Sequence, residues 1–89
     1  MQIQQAGTPI NLSISGIVSK TAGNLIGFYV NSTNAGTLII HNATTATNAV
    51  SGTITPAIGF HAFSPYLTNG CFAEIGGTAL NVTLFFAAG

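Results

Sequence analysis

The stretch Gly23-Asn24-Leu25-Ile26-Gly27-Phe28-Tyr29-Val30-Asn31-Ser32 decides the fold class of this chain. Residues 25–30 form a near-continuous apolar run, and turn-forming residues stand at both of its ends. A run of this length is typical of a β-strand that is covered on both faces, because a core helix would need a longer stretch. The sequence therefore predicts a buried strand here.

A strand pattern continues on both sides of this run. Apolar and polar residues alternate through residues 10–15, as they do in a half-buried strand. Downstream, the turn-forming residues 34–36 separate the first run from a second apolar run at residues 37–41. Two apolar runs joined by a short Gly-containing turn predict a β-hairpin between residues 25–30 and 37–41.

The second half of the chain has the same character. Residues 43–52 are rich in Thr, Asn and Ser and predict a polar loop, since they show no helical period. Gly76 and Gly77 predict a turn between the last two strands. Three more strands are predicted, at residues 58–63, 71–75 and 80–86.

About six to eight short strands with Gly, Asn and Pro turns predict a single all-β domain over residues 1–89. The expected architecture is a small antiparallel β-sandwich or a jelly-roll-like barrel. A domain of this size buries roughly 60–65% of its extended surface, which gives a marginal core. With one cysteine in the chain, no internal disulfide is available, so we expect association with other chains to add stability.

Charge is almost absent. Lys20 and Glu74 are the two formally charged residues, 2% of the chain, whereas an average domain carries about 25%. A single cation cannot neutralise a nucleic-acid backbone or attract anionic lipid, which excludes both partners by charge. Residues 1–5 lack the pattern of a secretory signal, and no apolar run approaches the ~20 residues of a membrane-spanning helix.

Few residues could carry catalysis. One carboxylate excludes a two-carboxylate mechanism, and a Ser–His–acid triad would have to combine Glu74 with His41 or His61. Cys71 opens an apolar strand and is expected to pack as a small hydrophobe. We therefore predict a protein that is not an enzyme and that needs no cofactor or metal. An enzyme or metal site built from His41, His61 and Cys71 remains an alternative.

Candidate interaction residues come from the aromatic and charged side chains. Aromatic residues cluster between Pro56 and Pro65 and just beyond, where they predict core, subunit interface or a glycan-stacking surface. The two charged residues predict either an ion pair with each other or separate solvated groups. The candidate interface therefore consists of Phe60, Phe63, Tyr66, Lys20 and Glu74.

The order of strands and turns resembles that of small virion structural proteins of tailed bacteriophages. The resemblance rests on the Gly-x-Leu-x-Gly-x-x-Val-Asn strand at residues 23–31, the Gly-led strand 36–42 and the Asn69-Gly70 turn. It extends to the terminal strand with Val82-Thr83-Leu84-Phe85. It covers Thr21 to the C-terminus, and the chain departs from it at residues 42–52, where an acidic residue is expected and none is found.

The resemblance implies a virion component that decorates or cements the capsid, and it supplies no catalytic residues. We expect a homo-oligomer, most plausibly a trimer, at the capsid surface, with the major capsid protein or another virion protein as partner. Low charge fits this expectation, because charged residues are depleted at interface cores. The alternative is a tail- or fibre-associated module that binds host surface glycan through the aromatic cluster and the Asn- and Thr-rich loop.

Overall fold

Two long antiparallel strands organise the molecule. The computed structural model describes residues 8–88, with the side chain of Thr78 excepted, so the signal-sequence expectation for residues 1–5 lies outside the described residues. The described residues form strands, turns and loops and no helix, which confirms the all-β prediction. The strands are β1 (Thr8–Leu12), β2 (Gly16–Ser19), β3 (Gly23–His41), β4 (Gly59–Ala62), β5 (Tyr66–Leu67) and β6 (Cys71–Ala88).

All strand pairs are antiparallel. β3 and β6 pair along their whole length, from Gly23 opposite Ala88 to His41 opposite Phe72. The edge of β6 that faces away from β3 pairs with β1 and β2. The edge of β3 that faces away from β6 pairs with β4 and β5. The resulting sheet is nearly closed into a barrel, in agreement with the predicted small barrel or sandwich of six to eight strands.

The predicted hairpin between residues 25–30 and 37–41 is wrong, because both runs belong to the single 19-residue strand β3. The residues expected to form the turn instead form a bulge, with register shifts against β6 on both sides of Ala35. Ala35 adopts a positive φ of 57°. A bulge bends a strand without reversing it, so the chain continues in β3 and pairs with β6 beyond the bend.

The predicted turn at Gly76 and Gly77 is also wrong, since β6 runs through it from Cys71 to Ala88. Gly77 has a φ of 77° and lies next to the Ala35 bulge, where Gly36 pairs with Gly77. Both long strands therefore bend at the same place. Gly76 and Gly77, which predict the end of a strand, instead let β6 approach β3 closely and adopt the positive φ that the bend requires.

The core lies on the inner face of this bent sheet. Leu25, Phe28 and Val30 are buried before the bend in β3, and Leu38 and Ile40 are buried after it. The buried apolar residues of β6 are Cys71, Ala73, Leu80, Val82, Leu84 and Phe86. The bend thus brings apolar residues of both halves of the ribbon into one hydrophobic cluster.

The opposite face of β3 is open. Residues 25–30 were expected to be covered on both sides, but Tyr29 is 43% exposed, so this expectation is wrong. The alternation in residues 10–15 also fails at its end: β1 stops at Leu12, and Ile14 lies in a bend with 75% of its surface exposed. None of the described residues belongs to a helix long and apolar enough to cross a membrane.

The region predicted as a polar loop, residues 43–52, has no regular strand or helix of its own. It is tied back to β3 at two points, where the Val50 amide donates to the Ile40 carbonyl and Ala49 forms a bridge with His41. Ile54 and Leu38 then exchange two backbone hydrogen bonds of 2.8 Å. These contacts cover the edge of β3 beyond the bend.

Candidate interaction surfaces

Four aromatic side chains lie on the outer side of the sheet, and we call them the outer aromatic face: Tyr29, Phe60, Tyr66 and Phe85. Tyr29 on β3 pairs directly with Phe60 on β4, and Tyr66 on β5 pairs with Asn24, five residues before Tyr29 on β3. Phe60 and Tyr66 are each 53% exposed. Two residues of the predicted aromatic cluster, Phe60 and Tyr66, therefore lie on this face, and Tyr29 joins them although the sequence predicts a buried strand there.

Phe60 is seated over a glycine. A Cβ atom on Gly27 would come within 2.6 Å of the Phe60 Cζ atom, so the ring lies across the space that a side chain would fill. The Phe85 ring lies beside it, with ring centroids 6.3 Å apart and planes tilted by 55°. Phe60 is therefore supported from one side and exposed on the other.

Phe63 belongs to the inner side of the molecule. It is half-buried and packs against the hydrophobic core cluster. Of the three aromatic residues in the predicted interface, the structure therefore brings Phe60 and Tyr66 to the outer aromatic face and separates Phe63 from them.

An ordered group of polar side chains lies beside the aromatic residues, and we call it the asparagine network: Asn11, Asn31, Asn81 and Thr83. Asn11 on β1 donates to the Asn81 Oδ1 at 2.9 Å and to the Thr83 Oγ1 at 3.0 Å. Asn31 on β3 donates to the same two atoms, at 3.1 Å and 3.0 Å. The two flanking strands thus direct their amide groups onto one pair of residues on β6.

The asparagine network is contiguous with the outer aromatic face. Tyr29 stands opposite both Phe60 and Thr83, and Thr83 stands opposite Asn11. Directly opposed residues of antiparallel strands lie on the same face, so these four side chains form a row across four strands. The sequence alone does not reveal this network, because strand pairing joins residues far apart in the chain. A partial signal is that Asn81 stands between the buried residues Leu80 and Val82.

Glu74 pairs with His41, not with Lys20. The His41 Nε2 lies 2.8 Å from the Glu74 Oε1, and the His41 Nδ1 lies 3.1 Å from the Thr47 carbonyl oxygen. Lys20 is exposed, and it forms no ion pair with a partner in the part of the chain from 8 to 88. The structure thus separates the two charged residues of the predicted interface.

The pairing of His41 with Glu74 assembles two members of a possible Ser–His–acid triad. Both ring nitrogens are nevertheless occupied, one by the carboxylate and one by the Thr47 carbonyl. A general base needs a free nitrogen within reach of a nucleophile, and this imidazole presents none. His61 is used structurally: its ring stacks on Phe28, and its Nε2 lies 2.8 Å from the Ala57 carbonyl. Among residues 8–88, no group of three or more His, Cys, Asp or Glu side chains could hold a metal ion.

Cys71 is fully buried, and desolvation raises the pKa of its thiol from 9.0 to about 12. The thiolate is the reactive form of cysteine, so at pH 8 only about one thiol in ten thousand is ionised. We expect a thiol reagent such as Ellman's reagent to modify the folded protein very slowly and the urea-unfolded protein within the mixing time. Equal rates in the two states would contradict this burial.

The same shift makes stability depend on pH. Because the pKa in the folded state lies above that of the unfolded state, the buried thiol contributes fully below pH 9. That contribution is lost as the pH rises from 9 towards 12, at up to about 1.4 kcal/mol per pH unit. The Cys71→Ala variant provides the control, because it should remove this part of the alkaline loss of stability.

A second exposed apolar region lies at the bend. Residues 13–15 of the β1–β2 connection face residues 75–77, 79 and 80 of β6 across an open groove. The Ile75 amide donates a hydrogen bond of 2.8 Å to the Ser15 Oγ, which holds the connection against β6. Ile14 stands at the groove with 75% of its surface exposed, and Ile17 on β2 is 41% exposed. We call Ile14, Ile17 and this groove the aliphatic edge.

No family model, curated protein or solved structure matches the chain.

Proposed function

We propose that this chain is a non-enzymatic bacteriophage virion protein, a decoration subunit that binds and stabilises the capsid lattice as a homo-oligomer. The single observation that carries the proposal is an exposed apolar surface without charge: the aliphatic edge presents Ile14 and Ile17. A large exposed aliphatic side chain at a groove favours contact with another protein. The resemblance of the strand order to small phage virion proteins supplies the kind of partner.

The aliphatic edge suits attachment to a larger protein for a second reason. β1 and β2 lie at the end of the strand order and, within residues 8–88, pair on one side only, with β6. A free strand edge can accept a neighbouring strand through main-chain hydrogen bonds. When many copies bind a symmetric capsid at once, weak individual contacts together give strong overall binding.

The proposal is tested by sedimenting the purified chain with capsids that lack it. We expect Ile14→Asp to weaken capsid binding by about tenfold or more, because it places a charge in an apolar contact. Ile58→Asp is the matched control, since Ile58 is 64% exposed outside the aliphatic edge. Binding should change little with added salt, because few ionic contacts exist to be screened.

Mass spectrometry of intact virions gives a second measurement, and a copy number equal to that of the capsid subunit or to a simple fraction of it supports decoration. A chain absent from virions, or Ile14→Asp binding as tightly as the wild type, would overturn the proposal.

A tail- or fibre-associated module that binds host glycan is the second candidate function. The specific observation that favours it is the strand register, which places exposed aromatic residues next to the asparagine network on one face of the sheet.

A further inference from the structure

We propose that the row Phe60–Tyr29–Thr83–Asn11, together with Asn31 and Asn81, is a binding site for a neutral oligosaccharide. The aromatic rings supply stacking planes for sugar rings, and the amide groups supply hydrogen-bond partners for sugar hydroxyls. This inference names the ligand class and the residues for the second candidate function and rests on it. It is independent of the contact between the aliphatic edge and the capsid.

The size of the site comes from the strand pairing. The four residues of the row occupy β4, β3, β6 and β1 in succession. Adjacent strands are about 4.8 Å apart, so the row spans roughly 14 Å, the scale of a short oligosaccharide. It has aromatic side chains at one end and polar side chains at the other, on one continuous face of the sheet.

The amide groups are held in a fixed orientation. Asn11 and Asn31 each direct the Nδ2 group towards Asn81 Oδ1 and Thr83 Oγ1, at distances between 2.9 and 3.1 Å. The carbonyl oxygens of both amides therefore lie on the side away from the network, and no donor among residues 8–88 is bonded to them. Two acceptors with preset orientation lower the entropic cost of binding a ligand that donates hydrogen bonds.

The aromatic side chains at the other end of the row are also held in position before a ligand binds. Phe60 lies across the gap above Gly27 and beside Phe85, so its position is set before a ligand arrives. Tyr29, directly opposite Phe60, is 43% exposed. An aromatic ring with one supported face and one exposed face can stack on the apolar face of a sugar ring at little conformational cost.

The chemistry of the site selects against other ligands. The row and the network contain no charged side chain, so they offer no counter-charge to a phosphate, a carboxylate or a cation. A second copy of the chain, packed across a twofold axis, would bring identical amide carbonyl acceptors towards each other. Sugar hydroxyls can donate to these acceptors, which makes a neutral glycan the better match.

The test is a screen of the full chain against an array of neutral oligosaccharides, followed by titration of the best ligand under NMR observation. We expect Tyr29→Ala and Asn31→Ala each to weaken binding by about tenfold or more, with the oligomeric state unchanged and the variant still folded. Asn31→Asp adds a second variant of the same shape, and it should also weaken binding because a carboxylate cannot donate to Asn81. Ile58→Ala, at an exposed residue outside the row, is the control and should bind normally.

Three results would overturn the inference: no neutral oligosaccharide binds, the ligand shifts amide signals away from the row, or Tyr29→Ala dissociates an oligomer that blocks the face. The variants are also tested for capsid sedimentation. Tyr29→Ala should retain capsid binding, and Ile14→Asp should retain glycan binding. Loss of one activity without the other therefore shows which of the two proposals fails.

Discussion

Gly36→Ala is expected to lower the free energy of unfolding by about 3 kcal/mol, a large share of the total stability of a small domain. A Cβ atom at Gly36 would collide with the Ala79 carbonyl oxygen and lie 2.6 Å from the Leu80 Cβ. These atoms belong to the backbone and the base of a side chain on β6, so neither can rotate away. The added methyl group can be accommodated only by separating β3 from β6 at the bend.

The measurement is urea unfolding followed by far-UV circular dichroism. Gly52→Ala is the matched control, because a Cβ atom there would meet nothing within 4 Å. Since alanine restricts the unfolded chain more than glycine does, this control should leave stability unchanged or slightly increased. If Gly36→Ala unfolded at the same urea concentration as Gly52→Ala, β3 and β6 could not approach as closely at the bend as the structure has them.

At the bend, the sequence predicts two turns where the structure has continuous strands. Alternating and continuous apolar runs correctly predict an all-β chain, because the side chains of a strand alternate between its two faces. Bulges at Ala35 and Gly77 require positive φ values, which the sequence can equally satisfy with a turn. Whether the chain reverses or only bends there depends on pairing between residues about forty positions apart, which local patterns do not specify.

The candidate surfaces were partly predictable for a similar reason. Phe60 and Tyr66 lie in a short segment rich in aromatic residues, which a local window detects. Phe63 has the same local signal but packs against the core, and Tyr29 looks buried among its apolar neighbours yet is exposed. The register of β4 on β3 places Tyr29 opposite Phe60 on the exposed face. The asparagine network depends on pairing across three strands and was therefore invisible to local analysis.

His41→Ala is expected to lower the free energy of unfolding by about 2–4 kcal/mol, because it removes a buried ring together with two hydrogen bonds. The His41 side chain joins three parts of the fold. It lies on β3, forms hydrogen bonds with the Thr47 carbonyl oxygen in the loop and with the Glu74 carboxylate on β6, and contacts the Phe72 ring edge-on, with ring centroids 5.9 Å apart. Its loss should also release the loop, so the amides of Asn42 and Val50 should exchange with solvent faster.

The contribution of the contact between His41 and Glu74 can also be measured by changing Glu74. Glu74→Ala should cost about 1 kcal/mol, since Glu74 is 43% exposed at its side chain and the pair is partly screened. Glu74→Gln should cost less, because its amide can either accept from the ring or donate to it.

A double-mutant cycle separates the pair from the other effects of each substitution. We expect a coupling energy of about 1 kcal/mol between His41→Ala and Glu74→Ala, and none between His61→Ala and Glu74→Ala, because His61 binds the Ala57 carbonyl instead. Zero coupling would mean that the contact between His41 and Glu74 does not stabilise the fold. Lys20 has no ion-pair partner among residues 8–88, and it lies outside both proposed contact surfaces.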